Sequence, residues 1–148
     1  MIPDFLDNGY LPEGIYEATF EEVAERFGKS KVRKKLLLGM REMVALCKQL
    51  GCDIYYLDGS FISNKISPSD YDACWDTTCS DRELVMNKVL YSILNSDSET
   101  QKNEFKGEIY PSFIKAPIVP NLTILDYFQT CKDADDSNMK KGIIKINL

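Results

Sequence analysis

Apolar residues recur at helical spacing in two long stretches of the chain, and shorter apolar runs that read as strands lie around and between them. Val32, Leu36, Leu37, Met40, Val44, Cys47 and Leu50 return every three or four residues, as on a helix face turned to a core. Ser30 precedes that run and Gly51 follows it, where an N-cap and a C-terminal cap belong. Just before it, Thr19-Phe20-Glu21-Glu22 has capping-box spacing and predicts a short helix that stops near Gly28. Ser80-Asp81-Arg82-Glu83 is a second capping box, from which Leu84, Val85, Val89, Leu90, Ile93 and Leu94 carry an apolar face to about residue 95.

The strand-like runs are Ile54–Asp58, Asp70–Trp75, a stretch within Phe105–Phe113 that Pro111 marks as an end or an edge, and Gly142–Leu148. Asn95–Asn103 is polar and reads as a loop, and Thr123–Thr130 reads as a short amphipathic helix. The opening mixes Pro, Gly and aromatics and is expected to form an irregular arm over residues 1–18. Two helices over 19–51 and a sheet with further helices over 53–148 complete the expectation. The fold class is a single mixed α/β (α+β) domain with a small sheet of about four strands.

A length of 148 residues with 44% hydrophobic content is enough for one core of this kind. The net charge of -5 argues against a dedicated nucleic-acid binder. No apolar stretch is long enough to cross a bilayer, and Met1-Ile2-Pro3-Asp4-Phe5 has no basic segment leading into an apolar one. The 5 cysteines are odd in number, scattered and without a C-x-x-C pair, so reduced thiols in a cytoplasm are expected. Histidine is absent. That removes Ser-His-Asp and Cys-His catalysis and histidine-held zinc.

The chemistry that remains points to one segment. Ile54-Tyr55-Tyr56-Leu57-Asp58-Gly59-Ser60 is an apolar strand running into a Gly-Ser turn, and Asp70-Tyr71-Asp72 opens the next strand. Side chains at i and i+2 of a strand share a face, so Asp70 and Asp72 project together while Tyr71 packs into the core. Two convergent carboxylates offer hard oxygen ligands to a divalent metal such as Mg²⁺. Gly59 lets backbone approach a phosphate, and Ser60 adds a hydroxyl and an N–H donor. Lys65, in the intervening loop, is placed to reach phosphate, as are Lys106 and Lys115. Lys29, Lys31, Arg33, Lys34 and Lys35 form a basic cluster read as a solvated helix face. Cys74 and Cys79 are expected to be buried, and Trp75 to be core. Asp133, Asp135 and Asp136 open like a calcium loop. Asn138 and Ile144 stand where its glycine and glutamate belong, so no calcium site is expected.

Strand, Gly59-Ser60, loop and Asp70-Tyr71-Asp72 together resemble the nucleotidyltransferase superfamily typified by polymerase beta. The resemblance implies Mg²⁺- or Mn²⁺-dependent transfer of a nucleoside monophosphate, with ATP as the expected donor. Asp70 and Asp72 would hold metal and Gly59-Ser60 the triphosphate. Such families add a third carboxylate on a later strand, as a metal ligand or base, and Glu108 takes that part if it, rather than Ile109, faces the site.

Over nearly its whole length, from Ile2-Pro3-Asp4-Phe5 through Asp58-Gly59-Ser60-Phe61 to Lys141-Gly142-Ile143-Ile144, the chain also resembles a family of small bacterial nucleotidyltransferase-like proteins. Minimal nucleotidyltransferases of this size occur in toxin–antitoxin and phage-defence loci, where some adenylylate a partner toxin and others modify tRNA. By analogy the acceptor is a protein or an RNA. The alternative is a non-catalytic module that keeps the fold to bind a partner protein.

Overall fold

The computed structural model describes residues 1–92, 97–132 and 139–148. Five strands, β1 (Gly14–Glu17), β2 (Ile54–Asp58), β3 (Tyr71–Asp76), β4 (Gly107–Pro111) and β5 (Gly142–Asn147), form a sheet of order β1-β5-β2-β3-β4. The sheet is mixed. β1 lies parallel to β5 and β3 to β4, whereas β2 is antiparallel to both β3 and β5. Five helices accompany it among the described residues: α1 (Phe20–Phe27), α2 (Lys31–Leu50), α3 (Arg82–Ser92), α4 (Ser98–Phe105) and α5 (Ile124–Phe128). No helix among the described residues is long and apolar enough to cross a membrane.

The caps act as their residue types dictate. Thr19 and Glu22 exchange bonds at the start of α1, with Thr19 N–H donating to Glu22 Oε2 at 2.7 Å. Ser30 caps α2, and Gly51 closes it at φ 106, a left-handed conformation that suits glycine. α3 begins one residue later than its capping-box spacing predicts, because Asp81 rather than Ser80 accepts the N–H of Leu84.

Alternation along the strands divides two cores. Tyr55, Leu57, Trp75 and Ile144 turn to one face and pack against Leu36, Met40, Met43 and Cys47 of α2 and Val23 and Phe27 of α1. Fully burying an aliphatic side chain such as Leu57 contributes about 1.5–3 kcal/mol. Trp75 is core, edge-on to Phe113 at 5.5 Å. The opposite face is smaller: Tyr56, Cys74 and Ile143 meet Ile124 and Phe128 of α5.

Several expectations need correction. The arm is not wholly irregular, because Gly14–Glu17 pairs with β5 as an edge strand. The polar stretch 95–103 is not simply a loop, because Ser98 opens α4, which buries Gln101 and Phe105. Val32 is exposed and Met43 takes its place in the buried stripe. Cys79 is exposed, unlike Cys74. Ile93, Leu94 and the calcium-like aspartates Asp133, Asp135 and Asp136 lie outside the described residues.

Candidate functional site

β2 leaves the sheet at Asp58 and turns through Gly59 into a single 3₁₀ turn, Ser60–Ile62. Asp58 is registered with Asp72 on β3, and Asp72 with Glu108 on β4. Directly paired residues share a sheet face, so three carboxylates lie in a row across three adjacent strands. With strands about 4.8 Å apart, the row is roughly 10 Å long. It continues the face that carries Tyr56, Cys74 and Ile143, on the side away from α2. The register also settles the parity of β4: Glu108 turns to the row, and Ile109 is buried in the main core.

Gly59 holds φ 85, and a Cβ added there would come within 2.6 Å of Asp72 Oδ2. The Asp72 carboxylate therefore lies directly against the backbone of the Gly-Ser turn, and only glycine permits the approach. A cavity of about 410 Å³ opens at this point, lined by Asp58, Asp72, Gly59, Ser60, Lys65 and Lys132, among others. Asp70 and Glu108 are not part of that lining. They are bridged by Lys102 of α4, whose Nζ lies 3.3 Å from Asp70 Oδ2 and 2.8 Å from Glu108 Oε1. Of the residues predicted to form the site, Gly59, Ser60, Lys65 and Asp72 thus meet around the cavity. Asp70 and Glu108 stand beside it, each engaged by a lysine. A second hollow of about 480 Å³, between Phe20, Lys48 and Leu148, lies away from the row.

The carboxylates differ sharply in environment. Asp58 is almost fully buried and paired with Lys141 at 2.6 Å, yet burial still holds its pKa above the ordinary aspartate value. Asp72 is pushed up to about 6, first by burial and then by the charges of Asp58, Asp70 and Glu108, with Lys132 opposing. Burial also acts to raise Glu108, but bonds from Lys102, Tyr110 and Ser98 outweigh it and hold the group below its usual range. Among the described residues, no group of three or more His, Cys, Asp and Glu side chains is gathered tightly enough to hold a metal ion.

Residues 3–147 match the model of a family described as a family of unknown function, DUF6932. The chain belongs to the DUF6932 family. No curated protein and no solved structure matches it.

Four further residues shape the site in this DUF6932 chain and were hidden in its sequence. Asp58 ends an apolar run with a charge, which is a usable local signal. Lys141 and Lys132 carry none, being far from the motif in sequence. Arg33 is a correction: it is buried rather than part of a solvated face. Its guanidinium donates to the carbonyls of Phe61, Ser63 and Lys65, and so gathers the loop that follows Gly59.

Proposed function

We propose that this chain is a metal-dependent nucleotidyltransferase that moves a nucleoside monophosphate, in the first instance AMP from ATP, onto a protein or RNA acceptor. The observation that carries the reading is the registered row Asp58, Asp72 and Glu108 laid against the Gly59-Ser60 turn. Its donors are hard carboxylate oxygens, which suit Mg²⁺ or Mn²⁺. The repulsion felt at Asp72 is of the kind a bound cation relieves. Asp72 would hold the ion, with Asp70 and Asp58 next to it and substrate phosphates completing the shell. A bound Mg²⁺ would neutralise charge on the pyrophosphate leaving group as the new bond to the α-phosphorus forms.

The chain's own groups do the remainder. The bare backbone of Gly59 and the hydroxyl and N–H of Ser60 offer the phosphates a close approach and donors. Lys65 and Lys132, on the cavity wall, attract the triphosphate. Lys141 is committed to Asp58 and fixes the floor. Glu108, already holding three donors, is a fixed charge, which works against its use as a base.

The test is incubation with α-labelled nucleoside triphosphates, Mg²⁺ and host lysate. The reading expects labelled acceptor with wild type and at least tenfold less with Asp72→Asn. Equal labelling, or none, rejects it. A second reading, a partner-binding module without turnover, is favoured by the internal lysines that already match Asp58, Asp70 and Glu108. Co-purification with a partner, unchanged by Asp72→Asn, would support that reading instead.

A further inference from the structure

Lys102 occupies the gap between two carboxylates of the site, and its helix is not free to carry it away. Gln101 Oε1 accepts the N–H of Ile109 at 2.9 Å, which ties α4 to the outer edge of β4. At the other end of the helix, the Tyr71 hydroxyl donates to Phe105 O at 2.9 Å. That carbonyl is packed so closely on α2 that a Cβ at Gly39 would come within 2.1 Å of it. Ser98 lies four residues before Lys102, on the same helix face. It donates at 2.7 Å to Glu108 Oε1, the oxygen that Lys102 also contacts. The Tyr110 hydroxyl holds the other oxygen of Glu108.

A lysine on an anchored helix, with two carboxylates and a companion donor converging on it, is held in one place. Isolated surface pairs gain little, because two long side chains must be ordered for one contact in high dielectric. Here the ordering is largely supplied by the packing of α4. The ammonium also sits on the side of the row that the cavity does not reach, next to Asp70 and Glu108 and away from Gly59.

We propose that Lys102 is the built-in counter-ion of the Asp70–Glu108 half of the site and takes the seat of one divalent cation, so that the chain holds a single such ion, on the Asp72 side. The inference rests on the metal–nucleotide reading above and specifies how that site is charged. In nucleotidyl transfer, two divalent ions can share the work of neutralising the attacking and leaving oxygens. Lys102 replaces one of them with a fixed single charge that needs no dehydration and cannot be chelated. The same contact keeps Glu108 occupied. Lys102 is thus a positioning residue for two carboxylates, acting through them and not on the nucleotide.

The experiment counts bound Mn²⁺ per chain from the resonance signal of the free ion. It uses the full chain, first with Mn²⁺ alone and then with a non-hydrolysable ATP analogue added. Lys102→Met is expected to take up one Mn²⁺ more than wild type. Lys102→Arg, which keeps the charge, is expected to match wild type. Glu108→Gln placed in the Lys102→Met background is expected to abolish the gain. Lys102 is exposed enough for the substitution to leave the fold intact, and Lys102→Gln serves as a second variant with the same expectation. Equal counts in wild type and Lys102→Met, at whatever number, overturn the proposal. Failure of the nucleotidyltransferase reading is separately visible: the analogue then adds no Mn²⁺ in any variant, while the gain from Lys102→Met with metal alone still stands.

Discussion

The Asp58 carboxylate and the Lys141 ammonium meet at 2.6 Å across 83 residues of sequence, both nearly sealed from solvent beneath the Gly-Ser turn. The pair joins the end of β2 to the residue before β5 and sets the floor of the cavity. Removing one partner of a buried pair leaves a charge in low dielectric, at a cost of about 3–5 kcal/mol. Lys141→Met should lower stability by that order in denaturant unfolding. The loss should shrink in acid, where Asp58 takes up a proton. Asp58→Asn combined with Lys141→Met should recover part of it, and a double variant no better than the single contradicts the pairing.

Arg33 has no carboxylate partner among its printed contacts and spends its donors on backbone carbonyls of the loop after Gly59. Hydrogen bonds to a charged donor are worth roughly 1.5–3 kcal/mol each when buried, so the loop's shape depends on this one side chain. Arg33→Met should speed amide exchange at Phe61–Lys65 by at least tenfold while leaving α2 protected. Arg33→Lys should rescue little, since an ammonium cannot reproduce the planar fork. Unchanged exchange in that loop contradicts the assignment.

Asp72 gives a pH signature whose sign is opposite to that of an ordinary paired aspartate. Its folded pKa of about 6 lies above the ordinary value of 3.8, so the folded state binds the proton more tightly. The stabilisation this brings is complete below about 3.8 and is lost as pH rises through about 6. Above that the ionised group is a net cost. Asp72→Asn should therefore raise the melting temperature near pH 8, by the equivalent of about 1–2 kcal/mol, and make no difference near pH 4. A variant less stable than wild type at pH 8 contradicts the crowding of charge described here. Such a gain in stability at the expense of the site is a familiar trade-off.

The long helix α2, its caps at Ser30 and Gly51 and the strands β2 and β3 were legible because their signals are local: a period, a cap, a glycine. β1 was not, because four residues after Pro12 and Glu13 become a strand only by pairing with β5. α4 reads as loop because just two of its residues, Gln101 and Phe105, are buried, which leaves almost no apolar stripe. Reading α4 as loop also hid Lys102. Arg33 was lost among Lys29, Lys31, Lys34 and Lys35, which share its charge; only its tertiary partners distinguish it. The site was legible at Gly59, Ser60, Lys65 and Asp72, where a turn and a strand parity fix the directions. It was not legible at Lys132 and Lys141, which the fold brings to the cavity from the far end of the sequence.

The account stands on Asp72 and the Gly59-Ser60 turn forming one seat for a metal-bound nucleotide. Calorimetric titration of a non-hydrolysable ATP analogue, with and without Mg²⁺, into wild type and Asp72→Asn tests this most directly. Wild type should bind at least tenfold more tightly with Mg²⁺ than without, and Asp72→Asn should lose that difference. Binding that ignores Mg²⁺, binding that survives unchanged in Asp72→Asn, or no binding by wild type would contradict it.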